Sequence, residues 1–349
     1  MAKERGVSSL KAAGTYIGTI VGAGFASGQE VLQFFACFGY KGLMGILVVT
    51  VLFIILGYMV MELGYRIHAE SHLDIVEASS GRILSAFSDI LISFFLFGTL
   101  SAMFAGSGAL MSQQFGLNPI AGGLIMAVLT VLTVLSGFNG TITSISIVVP
   151  FLIASAVGVG IMSLFTEPEH TGVMSFTPNI RLLRNWLWSA IIYTSYNTVT
   201  SFAILGPLGA RARDMKAIRN GALLGGLGLG IGACSMFFAL KHHFAKASSM
   251  EVPMLYVAGR ISPAVQIIYG IVLLAEIYTT AVGNLYGFSA RMAASGRPDS
   301  RLVTVLSALG AFFVSLLGFS NLVRYLYPLV GYAGIIILIS LVTNRNKKS

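Results

Sequence analysis

Long apolar runs separated by short polar segments dominate this chain. Runs such as Gly42–Met61, Ile120–Leu135, Ile145–Phe165 and Ala222–Leu240 approach the roughly 20 residues that cross the hydrocarbon core of a bilayer. The pattern predicts ten membrane-spanning helices, at about 10–38, 42–65, 83–113, 119–137, 141–165, 186–208, 217–240, 261–288, 302–319 and 322–343. The expected fold class is therefore an all-α integral membrane protein.

Composition agrees with this pattern and excludes a soluble domain. The 349 residues are 56% hydrophobic and 10% charged, whereas soluble domains have roughly 45–50% apolar and about 25% charged residues. The net charge of +9 is distributed between the spans instead of on one soluble face. We therefore expect membrane lipid and a small molecule as partners, and no nucleic acid.

The basic residues also orient the spans. Ten spans place both termini on one side, and a cytoplasmic assignment puts 15 of the 22 Lys and Arg residues inside, as the positive-inside rule requires. No small-residue cleavage site follows the basic segment Met1–Lys11, so the first span is expected to remain in the protein. The prediction is a multi-pass protein of a bacterial-type cytoplasmic (inner) membrane with both termini cytoplasmic.

The longest connection divides the chain into two halves. Residues 166–185 form an external connection between a first five-helix repeat, 1–165, and a second five-helix repeat with a cytoplasmic tail, 186–349. A repeat with an odd number of spans is followed by a copy in the opposite orientation, so the expected arrangement is a five-plus-five inverted repeat.

The first span carries glycines and a carboxylate at membrane depth. Five glycines lie within 14–28, followed by Gln29 and Glu30. Close helix packing through small residues would explain Gly14 and Gly18, but it does not explain the acid, which costs about 2.5–3.5 kcal/mol at the centre of a bilayer. We predict a helix broken near Val21–Ala26 that lines a binding cavity, with Ser27 capping the second half-helix.

The sixth and eighth spans carry the other polar clusters. Eight of the nine side chains of Tyr193–Ser201 can form hydrogen bonds, and this run matches the position of the first break in the other repeat, so a second broken helix is predicted. In span eight, Glu276, Thr279, Thr280 and Asn284 can share one helix face. The two threonine hydroxyls and carbonyls of a broken partner helix are suitable ligands for sodium, although threonines also bond to their own helix.

These features together resemble the LeuT fold of the amino acid, polyamine and organocation transporter superfamily. The segment GTIVGAGFASGQEVLQFF, which runs from Gly18 to Phe35, resembles the YkvI-like group of bacterial membrane proteins. The resemblance implies a sodium site made by the Gly18, Val21 and Glu276 carbonyls and the Thr279 and Thr280 hydroxyls. With the polar residues above, it implies a substrate site at Gly22, Ala23, Gly24, Phe25, Tyr193, Ser195, Tyr196, Asn197, Thr198, Glu276 and Asn284.

The expected function is secondary active transport, as sodium-coupled symport of a small amino acid or related amine, with Na⁺ as the coupling ion. Glu276 and Glu30 are candidate partners for a substrate amine, and Glu276 leaves proton coupling open as an alternative. A sensor or a channel on the same scaffold is a further alternative. An intramembrane enzyme is not expected because the sequence has no HExxH or nucleophile-elbow motif. Transporters of this kind can work as monomers, so the prediction requires no partner subunit.

Overall fold

The computed structural model describes residues 6–136, 141–167, 182–294 and 300–344, which are almost entirely helical. The helices are α1 (Ser9–Ile20), α2 (Ala23–Ala26), α3 (Gln29–Phe34), α4 (Tyr40–Ile67), α5 (His72–Phe115), α6 (Pro119–Ser136), α7 (Thr141–Met162), α8 (Trp186–Ala210), α9 (Met215–His242), α10 (Phe244–Ala247), α11 (Pro253–Ile261), α12 (Pro263–Ala294), α13 (Ser300–Ser315) and α14 (Phe319–Asn344). Short 3₁₀ turns follow α3 and α7, at Ala36–Phe38 and Ser163–Phe165.

These helices follow the order of the predicted spans. The first predicted span is divided into α1, α2 and α3, and the others correspond to α4 through α9 and α12 through α14. Six described helices are long and apolar enough to cross a membrane: α4, α5, α6, α9, α12 and α14. The count of ten spans and the division into repeats remain predictions, and most of the predicted external connection 166–185 lies outside the described residues.

Helix α5 begins earlier than its predicted span because of its capping residues. Ser71 accepts a hydrogen bond from the Asp74 amide at 3.4 Å, and the Asp74 carboxylate accepts from the Ser71 amide at 2.9 Å. This reciprocal capping box satisfies amides that a helix start leaves without partners. The apolar pattern alone does not detect this polar first turn.

Small residues allow the helices nearest the first span to pack closely. Helix α4 packs along α8 and α9, and α1 packs along α9. A Cβ added to Gly64 would overlap the backbone of Gly206, and one added to Gly209 would overlap the backbone of Met61. Helix α5 contacts α6, α12, α13 and α14 on the other side of the molecule, so the first span lies where these two groups of helices meet.

The beginning of α1 is attached to the connection between α8 and α9. The Val7 amide donates to the Arg211 carbonyl at 2.9 Å, and the Arg213 amide donates to the Val7 carbonyl at 3.1 Å. This pair of bonds forms an isolated parallel bridge between Val7 and Ala212. It links the start of the first predicted repeat to the second.

Candidate functional site

The first span is interrupted at Val21 and Gly22. Val21 ends α1 with φ −77° and ψ 101°, and Gly22 precedes α2 with φ −115° and ψ −173°, so both residues are extended. The carbonyls of the last turn of a helix, here including Gly18 and Val21, have no partner within that helix. The predicted interruption is therefore present in the structure, and it leaves backbone oxygen atoms available at this depth.

A second interruption, at Ser27 and Gly28, follows the four residues of α2. The Ser27 hydroxyl donates to the Gly24 carbonyl at 2.8 Å and accepts from the Gln29 amide at 3.2 Å, which is close to the predicted capping role. Gly28 has a left-handed φ of 85°, and a Cβ there would lie 2.7 Å from the Met254 Cγ. Glycine is needed at this position for both reasons.

Helix α8 is continuous, so the prediction of a broken sixth span is wrong. It runs without interruption from Trp186 to Ala210, and its polar side chains return hydrogen bonds to its own carbonyls. Thr194 bonds to Ala190, Asn197 to Tyr193, Thr200 to Tyr196 and Ser201 to Thr198. Such bonds satisfy hydroxyl and amide groups without unwinding a helix, so a polar run does not by itself require a break.

The predicted substrate residues of α8 point in different directions. Tyr193 and Tyr196 face α3, where their rings lie 5.2 and 5.8 Å from the Phe34 ring. Ser195 faces α14, because its hydroxyl lies 2.7 Å from the position of a Cβ on Gly334. The Thr198 hydroxyl is buried without a hydrogen-bond partner among the described residues.

The predicted residues of the first span are likewise divided between two neighbours. Ala23 is buried in the first turn of α2. Phe25 faces α9, where its ring lies 3.6 Å from the position of a Cβ on Gly232. Gly24 faces α3 and α14 instead, because a Cβ on it would overlap Glu30 Oε1 and lie 3.2 Å from the Tyr327 hydroxyl.

Glu30 lies beside an aromatic cluster that we call the Glu30 cage, formed by Phe34, Phe95, Tyr193, Tyr196 and Tyr327. Tyr196 donates its hydroxyl proton to Glu30 Oε2 at 2.5 Å. The Tyr196 ring is 5.4 Å from that of Tyr193 and 5.1 Å from that of Tyr327. Phe34 and Phe95 pack against the Tyr196 ring, so rings from α3, α5, α8 and α14 meet beside the carboxylate.

Helix α12 presents its polar face to the first span. Tyr269 donates its hydroxyl proton to the Ala26 carbonyl, and Glu276, Thr280 and Gly283 follow Tyr269 on the same face at seven, eleven and fourteen residues. With the predicted ten spans, spans one and eight run in opposite directions, and the two helical turns from Tyr269 to Glu276 cover about 10 Å. On that prediction Glu276 lies near the depth of the Val21–Gly22 interruption.

The threonines of the predicted sodium site are bonded within α12. Thr279 donates to the Glu276 carbonyl at 3.1 Å, and Thr280 donates to Glu276 Oε1 at 3.3 Å. A hydroxyl that donates its proton keeps its lone pairs, so these bonds are compatible with metal binding. No group of three or more His, Cys, Asp or Glu side chains that could hold a metal occurs in the described part of the chain.

Open space and unpartnered polar atoms occur in the same region. Among the described residues, no atom lies within 4 Å of the position of a Cβ on Gly22 or on Gly283. Glu276 Oε2 and Asn284 Nδ2 are buried without a hydrogen-bond partner in the part of the chain that the structure describes. Buried polar atoms are ordinarily paired, so these two are available to a ligand or to water.

Sequence reasoning missed four aromatic residues and one hydroxyl of this region. Phe34, Phe95 and Tyr327 belong to the Glu30 cage, and Tyr269 bonds to the first span. Thr99 lies one turn from Phe95 on α5, and its hydroxyl is buried without a partner among the described residues. Tyrosines inside predicted spans were the available signal for two of the five, because such residues are otherwise common at the membrane interface.

Two other intramembrane acids have basic partners. Glu62 accepts from Arg66 at 2.8 Å. Asp89 on α5 pairs with Arg291 on α12, a partner that the sequence did not indicate. A separate cavity of about 610 Å³ lies between α5, α6 and α13, and none of the predicted substrate residues lines it.

The fold is that of a known class of membrane transporters. Mhp1 in its inward-facing conformation matches with a TM-score of 0.69 and 16% identity, covering 96% of this chain and 76% of that one. A Na⁺-coupled sialic acid symporter matches with a TM-score of 0.62 and 14% identity, covering 97% and 79%, and a manganese transporter of Eremococcus coleocola with 0.63 and 15%, covering 96% and 78%. The chain has the LeuT fold, as predicted.

Sequence comparison then gives the family. The membrane protein YkvI of Bacillus subtilis (strain 168) is 32% identical over 333 residues, which are 94% of this chain and 93% of that protein. The protein YyaD of the same organism is 30% identical over 326 residues, 93% of each chain. No protein-family model matches the chain. The chain belongs to the YkvI family of membrane proteins, and the predicted resemblance is confirmed.

Proposed function

We propose that the protein is a secondary active transporter that couples the entry of sodium to that of a small amino acid or related amine, by alternating access. The observation that carries the proposal is the interruption of the first span opposite the polar face of α12. The Gly18 and Val21 carbonyls end the first part of that span, and α12, which bonds to the same span through Tyr269, carries Glu276, Thr279 and Thr280. The Na⁺-coupled sialic acid symporter with the same fold supports this proposal at the level of the fold.

The sodium ion is assigned to the predicted oxygen ligands. These are the carbonyls of Gly18, Val21 and Glu276 and the hydroxyls of Thr279 and Thr280. The Gly18 and Val21 carbonyls lie at the end of α1, where carbonyls carry partial negative charge, whereas the Glu276 carbonyl lies inside α12 and already accepts a bond from Thr279. The substrate is assigned to the adjacent space beside Gly22 and Gly283.

Thermal unfolding of the purified protein tests the sodium site without knowledge of the substrate. A ligand that binds the folded state raises its stability by RT ln(1 + [L]/Kd), so sodium chloride should raise the Tm above that in choline chloride of equal ionic strength. The double variant Thr279→Ala, Thr280→Ala should lose this increase. Thr130→Ala is the matched control, because Thr130 is a buried threonine that bonds to its own helix at Met126.

Uptake into proteoliposomes tests the coupling itself. With a labelled substrate identified by stabilisation, an inward sodium gradient should accelerate uptake in the wild type and not in the double variant. An uptake rate that is the same with and without external sodium would refute sodium coupling. Equal sodium dependence in the wild type and the double variant would refute the assigned ligands.

Proton coupling through Glu276 is the second candidate, favoured by one observation. Glu276 is 4% exposed, its Oε2 has no hydrogen-bond partner among the described residues, and an intramembrane carboxylate of this kind is typical of proton relays. Uptake driven by a pH gradient in the absence of sodium, and abolished in Glu276→Gln, would favour this candidate. The same uptake in Glu276→Gln and in the wild type would exclude it.

The proposed location is the cytoplasmic (inner) membrane, with both termini on the cytoplasmic side. The excess of Lys and Arg in the connections assigned to that side supports this orientation.

A further inference from the structure

The Glu30 cage contains a carboxylate without a countercharge. Glu30 is 4% exposed, and no Lys, Arg or His of the described residues forms an ion pair with it. The membrane acids Glu62 and Asp89 pair with Arg66 and Arg291, whereas Glu30 accepts a hydrogen bond from the Tyr196 phenol. A buried charge is costly unless it is paired, so the site is complementary to a cation.

The walls of the cage specify which kind of cation fits. The faces of aromatic rings attract cations, and rings around an ammonium group form the usual binding site for organic ammonium ions. Phe95 lies 6.1 Å from the Tyr196 ring and 5.7 Å from the Tyr327 ring, so the aromatic surface beside the acid extends from α8 to α5 and α14.

The cage is also next to the proposed transport site. Gly24 belongs to the interrupted first span, and its Cα is covered by Glu30 Oε1, which a Cβ would overlap. Glycine at this position therefore allows the carboxylate to lie directly against the backbone of α2. A cation bound to Glu30 would therefore lie beside α2 and the interruption.

We propose that Glu30 and its aromatic cage bind the ammonium group of the transported substrate, and that the substrate class is an organic amine without a carboxylate. The inference rests on the proposed transport function and specifies its substrate. The carboxylate of an α-amino acid would enter a region that already contains Glu30 and Glu276, neither of which has a basic partner among the described residues. Like charges in such a region disfavour binding.

Matched ligand series test the proposal on the purified full-length protein in detergent without sodium. The probes are n-alkylammonium chlorides from methyl to hexyl, and phenethylammonium chloride. The neutral controls are 1-butanol and phenethyl alcohol, and the α-carboxylated controls are norvaline and phenylalanine. We expect at least one ammonium ion to raise the Tm and to give a measurable Kd by calorimetry, while its alcohol does not bind and its amino acid binds more weakly.

Variants then assign the binding to the cage. Glu30→Gln keeps the shape of the side chain and removes its charge, so the Kd of the ammonium ion should rise about tenfold or more, as expected for a lost charge-assisted contact. Glu62→Gln is the matched control, because Glu62 is a buried membrane acid paired with Arg66, and its Kd should equal that of the wild type. If Glu30→Gln does not fold, Phe95→Leu removes a wall and keeps the carboxylate, and should raise the Kd severalfold.

The outcomes separate this proposal from the transport proposal. An amino acid that binds more tightly than its amine, the absence of binding by every ammonium ion, or an unchanged Kd in Glu30→Gln and Phe95→Leu would each overturn the amine assignment. Stabilisation by sodium depends on Thr279 and Thr280 instead, so it should persist in Glu30→Gln. If a variant loses the Tm increase caused by the ammonium ion but keeps the increase caused by sodium, the substitution has affected the Glu30 cage and not the sodium site.

Discussion

Position 24 requires glycine because Glu30, six residues later in the same span, lies against it. The chain turns through the left-handed Gly28, and this turn brings the Glu30 carboxylate back over Gly24. No side chain other than hydrogen leaves room for that carboxylate and for the Tyr327 hydroxyl. The glycine therefore has a local packing role in addition to any contact with substrate.

Replacement of Gly24 tests this role. Gly24→Ala should displace the Glu30 carboxylate and destabilise the protein by about 1–3 kcal/mol, as overpacking of a buried site usually does. The measurement is the Tm of the purified variant. Gly14→Ala is the control, because no described atom lies within 4 Å of its Cβ position and alanine favours a helix by about 1 kcal/mol over glycine. Equal Tm values for Gly24→Ala and the wild type would contradict the contact.

Sequence alone identified Gly24 and Glu30 separately but not their contact. Glycine and an acid at membrane depth raise the free energy of a membrane-spanning helix, and this cost identifies them as candidate functional residues. The approach of one to the other depends on the backbone angles of Gly28, which the sequence does not specify. The rings of Phe95 and Tyr327 come from α5 and α14, and their positions depend on helix packing that one sequence does not reveal.

At the scale of elements, the glycine-rich first span is divided into α1, α2 and α3, whereas the hydroxyl-rich α8 is continuous. In the first span, Val21 and Gly22 adopt extended angles and the helix ends. In α8, the polar side chains bond to carbonyls of the preceding turn and the helix continues. Glycine adds backbone freedom and offers no such bond, so glycine content predicted the break correctly and hydroxyl content did not.

The close packing of α4 on α8 can be tested by replacing Gly209. A Cβ on Gly209 would overlap the backbone of Met61, and backbone cannot move aside as a side chain can. Gly209→Ala should therefore cost more stability than Gly24→Ala, at or above the upper end of about 1–3 kcal/mol, measured as Tm or as loss of folded protein in size-exclusion chromatography. Gly158→Ala in α7 has open space at its Cβ and should behave like the wild type. A stable Gly209→Ala would show that the two helices can separate.

At the scale of the whole molecule, apolar pattern and span order predicted the LeuT fold well, because lipid requires each span to satisfy its own backbone. The pattern did not find α10 and α11, which lie between α9 and α12 and are too short to span a membrane. Their contact with the first span, a bond from the Met254 amide to the Ser27 carbonyl at 2.9 Å, depends on tertiary structure.

The predicted orientation can be measured by cysteine labelling. In a background with Cys37→Ala and Cys234→Ala, Lys246→Cys and Lys216→Cys each add one exposed thiol. Both lysines are exposed at opposite ends of the α9 region. An impermeant maleimide should label Lys246→Cys in intact cells and Lys216→Cys only after permeabilisation. The reverse result would invert the topology.

The absence of a basic partner for Glu30 and Glu276 among the described residues has an electrical consequence. If both acids are ionised, the carrier loaded with one sodium ion and one ammonium ion is neutral, and the empty carrier bears two negative charges. With the proposed coupling of one sodium ion to one ammonium ion, membrane voltage then acts on the return of the empty carrier, and each cycle would move two positive charges inward. At roughly 2.3 kcal/mol per charge per 100 mV, the voltage supplies about 4.6 kcal/mol, enough to concentrate the substrate roughly two-thousandfold.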